Sequence, residues 1–137
     1  MGILNDTYNA NPASMKAALD TLAEIKCRGR KVAVLGDMFE LGRHSAREHR
    51  LLGKRAADAA AKGVLDALYL LGSMSVEVRR GALQSGMREE QVIVGRDHAD
   101  TARRLRERVK KGDWLLFKGS RGMKIEKVLE ELKGGKA

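Results

Sequence analysis

Three short stretches of this 137-residue chain gather more reactive and polar side chains than packing alone requires. The first, Asn5-Asp6-Thr7-Tyr8-Asn9-Ala10-Asn11-Pro12, sets a carboxylate, side-chain amides and a phenol ahead of a proline. A carboxylate such as Asp6 can accept from ribose hydroxyls, the Tyr8 ring offers a stacking face, and the amide of Asn9 or Asn11 can read another amide or an adenine edge. Asn directly before Pro is also the signature of a helix cap, so for Asn11 capping and ligand contact both stand. The second stretch, Lys118-Gly119-Ser120-Arg121-Gly122, supplies two cations, a hydroxyl and permissive backbone, a set suited to a carboxylate or a phosphate. Taken alone it also reads as surface charges flanking a tight turn. In the third, Gly36-Asp37-Met38-Phe39-Glu40-Leu41-Gly42, the glycines are separated by five residues and Arg43-His44 follows where a phosphate-binding P-loop carries Lys and Ser or Thr. It is not a Walker A motif, and no other segment is one.

The elements that must hold these loops follow from periodicity. Met15, Ala18, Leu19, Leu22 and Ile25 recur on one face of a helix that Asn11-Pro12 opens. Residues 31–36 (KVAVLG) read as a short buried strand, and Ser45 with Glu48 reads as a capping box for an alanine-rich helix toward Lys62. Further strands are expected over 65–71, 91–94 and 113–118, separated by a helix over 75–84 and a basic helix capped by Asp97. Ile125, Val128, Leu129 and Leu132 mark a last helix that stops before Gly134-Gly135. Strands alternating with helices predict an α/β fold, a Rossmann-like and mainly parallel sheet with helices on both faces, occupying residues 1–137 as one domain. In such sheets ligands sit beyond the carboxyl ends of the strands, where all three stretches fall.

Composition narrows the function classes. No run approaches the roughly 20 apolar residues of a membrane helix, and the N-terminus lacks the basic and apolar regions of a signal peptide, so a cytoplasmic protein is expected. A single cysteine, Cys27, excludes an internal disulfide, and the three histidines are not spaced as ligand pairs, so no metal site is expected. The net charge of +9 permits a basic binding module for nucleic acid or a protein partner. Two features disfavour nucleic acid: the basic residues are interleaved with Asp and Glu, and aromatics are only 4% of the chain, too few for stacking platforms. The densest run, residues 103–111, keeps Leu105 and Val109 at helical spacing and reads as a solvated helix face.

The three stretches, taken in chain order, resemble the C-terminal domain of the Mur ligase family over essentially the whole chain. The motif Asn9-Ala10-Asn11-Pro12 is similar to the branch that attaches D-Ala-D-Ala, and its pairing with Lys118-Gly119-Ser120-Arg121 disfavours both the single-amino-acid branches and a folylpolyglutamate synthase. The resemblance implies a cytoplasmic, three-domain enzyme of peptidoglycan synthesis, with an N-terminal domain for the UDP-sugar and a central ATPase domain using ATP and Mg2+, both outside this chain. It implies that ATP phosphorylates the carboxylate of UDP-MurNAc-tripeptide and that the amine of D-Ala-D-Ala attacks the acyl phosphate.

For the site, the resemblance implies nucleotide contacts from Asp6, Tyr8, Asn9 and Asn11, and contacts to the acceptor dipeptide from Asn11, Lys118, Ser120 and Arg121. Glu40 and His49 also match family positions, either orienting the loop after the second strand or touching substrate. No residue is assigned to catalysis and no metal or cofactor is assigned to this domain alone. A chain opening so close to its first strand is expected to be a domain of a longer protein, inactive by itself, with a sheet edge that favours self-association.

Overall fold

The continuous apolar runs form strands buried on both faces, as a helix-covered parallel sheet demands. The computed structural model describes residues 1–134. Its strands are β1 (Gly2–Asp6), β2 (Lys31–Leu35), β3 (Ala67–Leu70), β4 (Val92–Val94) and β5 (Trp114–Lys118). They form one sheet in the order β1-β5-β2-β3-β4, with every pairing parallel. The helices are α1 (Pro12–Glu24), α2 (Ser45–Ala61), α3 (Ser75–Gln84), α4 (His98–Arg108) and α5 (Glu126–Gly134). This is the expected α/β architecture with helices on both faces.

Alternation along the strands divides the core in two. Ala33, Leu35, Leu68, Leu70 and Leu116 face α1, α2 and α3, which cover them with Met15, Leu19, Leu22, Leu52, Ala56, Val78 and Ala82. Val32, Val34, Tyr69, Leu115 and Phe117 face α4 and α5, which contribute Ala102, Leu105, Val128, Leu129 and Leu132. A large apolar side chain removed from water in this way contributes about 1.5–3 kcal/mol, several times an exposed ion pair, so these two cores hold the layers together. On the first face α2 and α3 meet backbone to backbone. A Cβ on Gly53 would lie 2.0 Å from the Val78 carbonyl oxygen, and one on Gly81 would lie 2.0 Å from that of Arg50. Only glycine fits at either position.

The helix starts show where local signals hold and where they do not. Asn11 caps α1: its Oδ1 accepts from the Ser14 N–H at 2.9 Å, and Ser14 Oγ accepts from the Asn11 N–H at 3.0 Å. Asp97 caps α4, accepting from the Asp100 N–H at 2.7 Å. The capping box expected at Ser45 and Glu48 does not form. A 3-10 turn over Gly42–His44 runs straight into α2, so Ser45 is already helical and its N–H bonds to the Gly42 carbonyl. Gln91 leaves the expected strand for a 3-10 turn over Glu89–Gln91, where its Oε1 accepts from the Arg88 N–H at 2.9 Å. Other boundaries shift by a residue or two, the usual blur between ladder and turn. Helix α5 runs through Gly134, and Gly135, the other half of the expected stop, lies outside the described residues.

Candidate functional site

The loops after β1, β2 and β3 lead to helices on one face, and those after β4 and β5 lead to the other. Where neighbouring strands send their chains to opposite faces, the loops part and leave a crevice at the carboxyl end of the sheet. In this strand order that happens on both sides of β5 and again between β3 and β4.

All three stretches singled out in the sequence meet at the crevice around β5. Lys118, in register with Asp6 on one side and Leu35 on the other, is only 1% exposed. Its Nζ donates to Asp6 Oδ2 at 2.6 Å and to the Asn9 carbonyl at 2.8 Å. A lysine is held this far from water only when its charge is paired and its N–H groups are occupied. Here it fastens the loop after β1 to the end of β5. The Asp6 side chain remains 52% exposed, and its other oxygen has no hydrogen-bond partner among the described residues.

Ser120 is also buried and joins the other two loops. Its Oγ accepts from the Phe39 N–H at 2.7 Å, its own N–H donates to the Asp37 carbonyl at 2.9 Å, and its Oγ lies 3.5 Å from the Ala10 carbonyl. His49, fully buried on α2, fixes the same loop from below. Its Nδ1 donates to the Ser45 carbonyl at 2.7 Å and its Nε2 accepts from the Met38 N–H at 3.0 Å, a pairing that defines the tautomer. Glu40 turns this loop outward with φ +63°, in the left-handed region, and its exposed carboxylate makes no hydrogen bond or ion pair among the described residues.

Above this fastened floor stand the exposed groups. Tyr8 is 72% exposed, and the Arg121 guanidinium carbon lies 5.2 Å from the centre of its ring, a cation–π contact across the mouth. Arg121 forms no ion pair among the described residues. Asn9 Oδ1 accepts from the Ala10 N–H at 2.9 Å and Asn11 Oδ1 is the α1 cap, so each asparagine keeps its NH2 without a hydrogen-bond partner among the described residues. The presented set is one carboxylate oxygen, an aromatic face, two amide donors and a free cation. Such a set can accept from sugar hydroxyls, stack on a planar group and pair with an anion.

Asp6, Tyr8, Asn9, Lys118, Ser120 and Arg121 thus come together, with His49 beneath and Glu40 at the rim. Lys118 and Ser120 sit inside the framework with their polar atoms engaged, whereas Arg121 is presented. Sequence reasoning missed Asp37 and Phe39. Asp37 is 5% exposed, and its carboxylate accepts from the Met74 N–H at 3.0 Å and from Ser73 Oγ at 3.2 Å. The Phe39 ring lies over Gly122, where an added Cβ would come within 2.7 Å of it. A charged residue one glycine beyond the apolar run Val32 to Leu35 was the available signal for Asp37.

The second crevice, between the loops after β3 and β4, is a cavity of about 490 Å³ lined by Gly72, Ser73, Gly95, Arg96, His98 and Met123. The basic helix α4 pairs part of its charge with acids on its own turns. Arg103 and Arg104 reach Asp100 at 2.7 and 3.2 Å, and Arg103 also reaches Glu107 at 3.0 Å, so the face is partly neutralised. Among the described residues no group of His, Cys, Asp and Glu could hold a metal ion, and no helix is long and apolar enough to cross a membrane.

Known proteins share this fold. The family described as "Mur ligase, glutamate ligase domain" matches residues 1–121. The UDP-N-acetylmuramoyl-tripeptide--D-alanyl-D-alanine ligase of Bacillus subtilis is 34% identical over 132 residues, covering 96% of this chain and 28% of that protein. Its counterpart in Escherichia coli is 35% identical over 130 residues, covering 95% of this chain and 26% of that protein. The crystal structure of MurF ligase from Thermotoga maritima in complex with ADP superposes with a TM-score of 0.76 at 34% identity, over 96% of this chain and 28% of that one. A MurF structure from Acinetobacter baumannii gives 0.78 at 32% identity, over 97% of this chain and 28% of that one. The chain therefore spans little more than a quarter of the length of these relatives. With the family matched along residues 1–121 and the fold shared with these solved ligases, the chain belongs to the Mur ligase family as its C-terminal, glutamate ligase domain.

Proposed function

We propose that this chain is the C-terminal substrate-binding domain of a cytoplasmic, ATP-dependent ligase that joins D-Ala-D-Ala to UDP-MurNAc-tripeptide in peptidoglycan synthesis. The observation that carries this reading is the crevice around β5, where Arg121, without an ion pair among the described residues, faces Tyr8 above a framework locked by Lys118 and Ser120. Relatives bearing that activity in their names, 34% and 35% identical over nearly the whole chain, support it.

In this reading the free oxygen of Asp6 accepts from ribose hydroxyls, Tyr8 offers its ring to the nucleoside, and the NH2 groups of Asn9 and Asn11 donate to ligand carbonyls or ring nitrogens. Those groups fit a nucleoside. The phosphates and Mg2+ belong to the central domain, and ATP supplies the activating phosphoryl group. Arg121 pairs with the carboxylate of the acceptor dipeptide, and its planar fork suits that partner better than a lysine would. Lys118 and Ser120 serve the acceptor by fixing the loop that carries Arg121, while His49 orients the loop after β2 and Glu40 stands at its rim. The chemistry depends on positioning and on charge stabilisation at an interface from which domain closure expels water, so the domain alone has no ligase activity.

The test is an NMR titration of the labelled chain with D-Ala-D-Ala, using L-Ala-L-Ala as control, together with kinetics of Arg121→Ala in an enzyme containing the other two domains. Stereoselective shifts at residues 9–12 and 118–122, with a dipeptide KM raised about tenfold or more by losing one charge-assisted pair, are expected. An unchanged KM would remove Arg121 from the acceptor site.

A further inference from the structure

The two crevices share a wall, and one side chain spans it. Asp37 leaves the end of β2 and reaches the loop after β3, where its carboxylate takes the Met74 N–H at 3.0 Å and the Ser73 hydroxyl at 3.2 Å. The contact is close on the far side as well: Gly72, at φ +117°, approaches until a Cβ there would lie 2.5 Å from Asp37 Oδ1. In the other direction the Asp37 carbonyl accepts from the Ser120 N–H at 2.9 Å, one residue from Arg121. Ser120 Oγ then returns to the same loop by accepting from the Phe39 N–H at 2.7 Å. Continuous hydrogen bonding therefore runs from the loop after β3, through Asp37, to the loop that carries Arg121.

We infer that Asp37 is a positioning residue that makes the loop after β3 and the loop 118–122 move as one body, so that the wall of the β3/β4 crevice sets the height of Arg121. A buried carboxylate accepting from two groups of a neighbouring loop resists displacement from either side, because each broken bond leaves a polar group unsatisfied away from water. The kinetic half of the inference rests on the proposed ligase reading. The structural half does not.

Residue-resolved amide hydrogen exchange on this chain decides the coupling. Asp37→Ala should speed exchange at Met74 by about tenfold, the scale of one lost hydrogen bond, and at Ser120 by about threefold, although Ser120 bonds only to the backbone of residue 37. Asp37→Asn, which keeps an acceptor for Met74, should restore both. Faster exchange at Met74 with Ser120 unchanged would make Asp37 a local turn anchor and overturn the proposal. Should Asp37→Ala not fold, Ser73→Ala removes a single donor and asks the same question at Ser120, with an unchanged rate again overturning it. In the three-domain enzyme, Asp37→Ala should raise the dipeptide KM more than it lowers kcat, with Asp37→Asn returning KM to within about twofold. An unaltered KM overturns the positioning role. A parent enzyme that did not ligate the dipeptide at all would refute the functional reading and leave the exchange result to decide on Asp37.

Discussion

At the amino end of the sheet Asp113, 2% exposed, takes the Arg30 N–H at 2.8 Å and the Lys110 N–H at 2.9 Å, and Asp66 takes the Lys31 N–H at 2.8 Å. At the carboxyl end Asp6, Asp37 and Lys118 are just as firmly bonded, yet Tyr8, Phe39 and Arg121 stand exposed beside them. The amino-end carboxylates tie backbone to backbone, Asp113 to Arg30 across 83 residues and Asp66 to Lys31 across 35. Those at the carboxyl end hold long loops at a fixed spacing while Tyr8, Phe39 and Arg121 on the same loops make no side-chain hydrogen bond or ion pair among the described residues. Buried charge alone therefore does not mark a site in this fold. Its pairing with exposed, unpartnered groups does.

Asp113→Ala should produce the largest effect and the least functional one. It strands two partly buried amide donors at a cost of about 3 kcal/mol, and for a domain of this size the melting temperature should fall by about 10 °C. Thermal unfolding measures this, and an unchanged melting temperature would remove the distinction between the two ends. Lys118→Ala should cost less, about 2 kcal/mol, since its partner Asp6 is half in water and the ion pair is screened on that side. Denaturant midpoints give the value. The sharper outcome is that this variant also loses any ligand response at residues 9–12, which Asp113→Ala should keep once folded.

The smallest effect tests a carboxylate that lies near the carboxyl end but behaves like an amino-end one. Asp100 accepts from the Arg96 N–H at 2.9 Å and from Arg103 at 2.7 Å, with the Arg104 charge adjacent, and these hold its carboxyl well below the usual carboxylate range. A depressed value in the folded state means that the stabilisation is complete above the ordinary carboxylate pKa of about 4, begins to fall below it, and is gone only once pH passes the depressed value. Melting curves of the protein and of Asp100→Asn should therefore differ by a constant margin from about pH 7 to pH 5, and the margin should shrink progressively below about pH 4. A margin that does not shrink at all between about pH 5 and pH 2 would show that the charge contributes nothing.

Much of this fold was legible because its strands are buried on both faces and its helices on one. Lys31 to Leu35 alternates Val32 and Val34 with Ala33 and Leu35, so apolar residues fill both faces and a parallel sheet follows. The three loops were legible because strand ends followed by polar residues have little to pack against. The burial of Lys118 was not. In sequence a lysine ahead of Gly-Ser-Arg reads as a free cation, and its partner Asp6 lies 112 residues away. Asp37 escaped for the same reason, its partners being 36 and 37 residues distant on another loop. The missed cap at Ser45 was a local error, because a short turn ahead of a helix supplies from the backbone what a capping hydroxyl would otherwise supply.

Where α2 and α3 touch through Gly53 and Gly81, there is no side-chain layer to slide or to repack. The two helices cannot loosen separately without opening a void between their backbones, so they form a single cooperative unit in the native-state fluctuations of the domain. His49 sits on α2 and the Met74 turn leads into α3, so local unfolding of this pair releases two of the loops around the crevices at once.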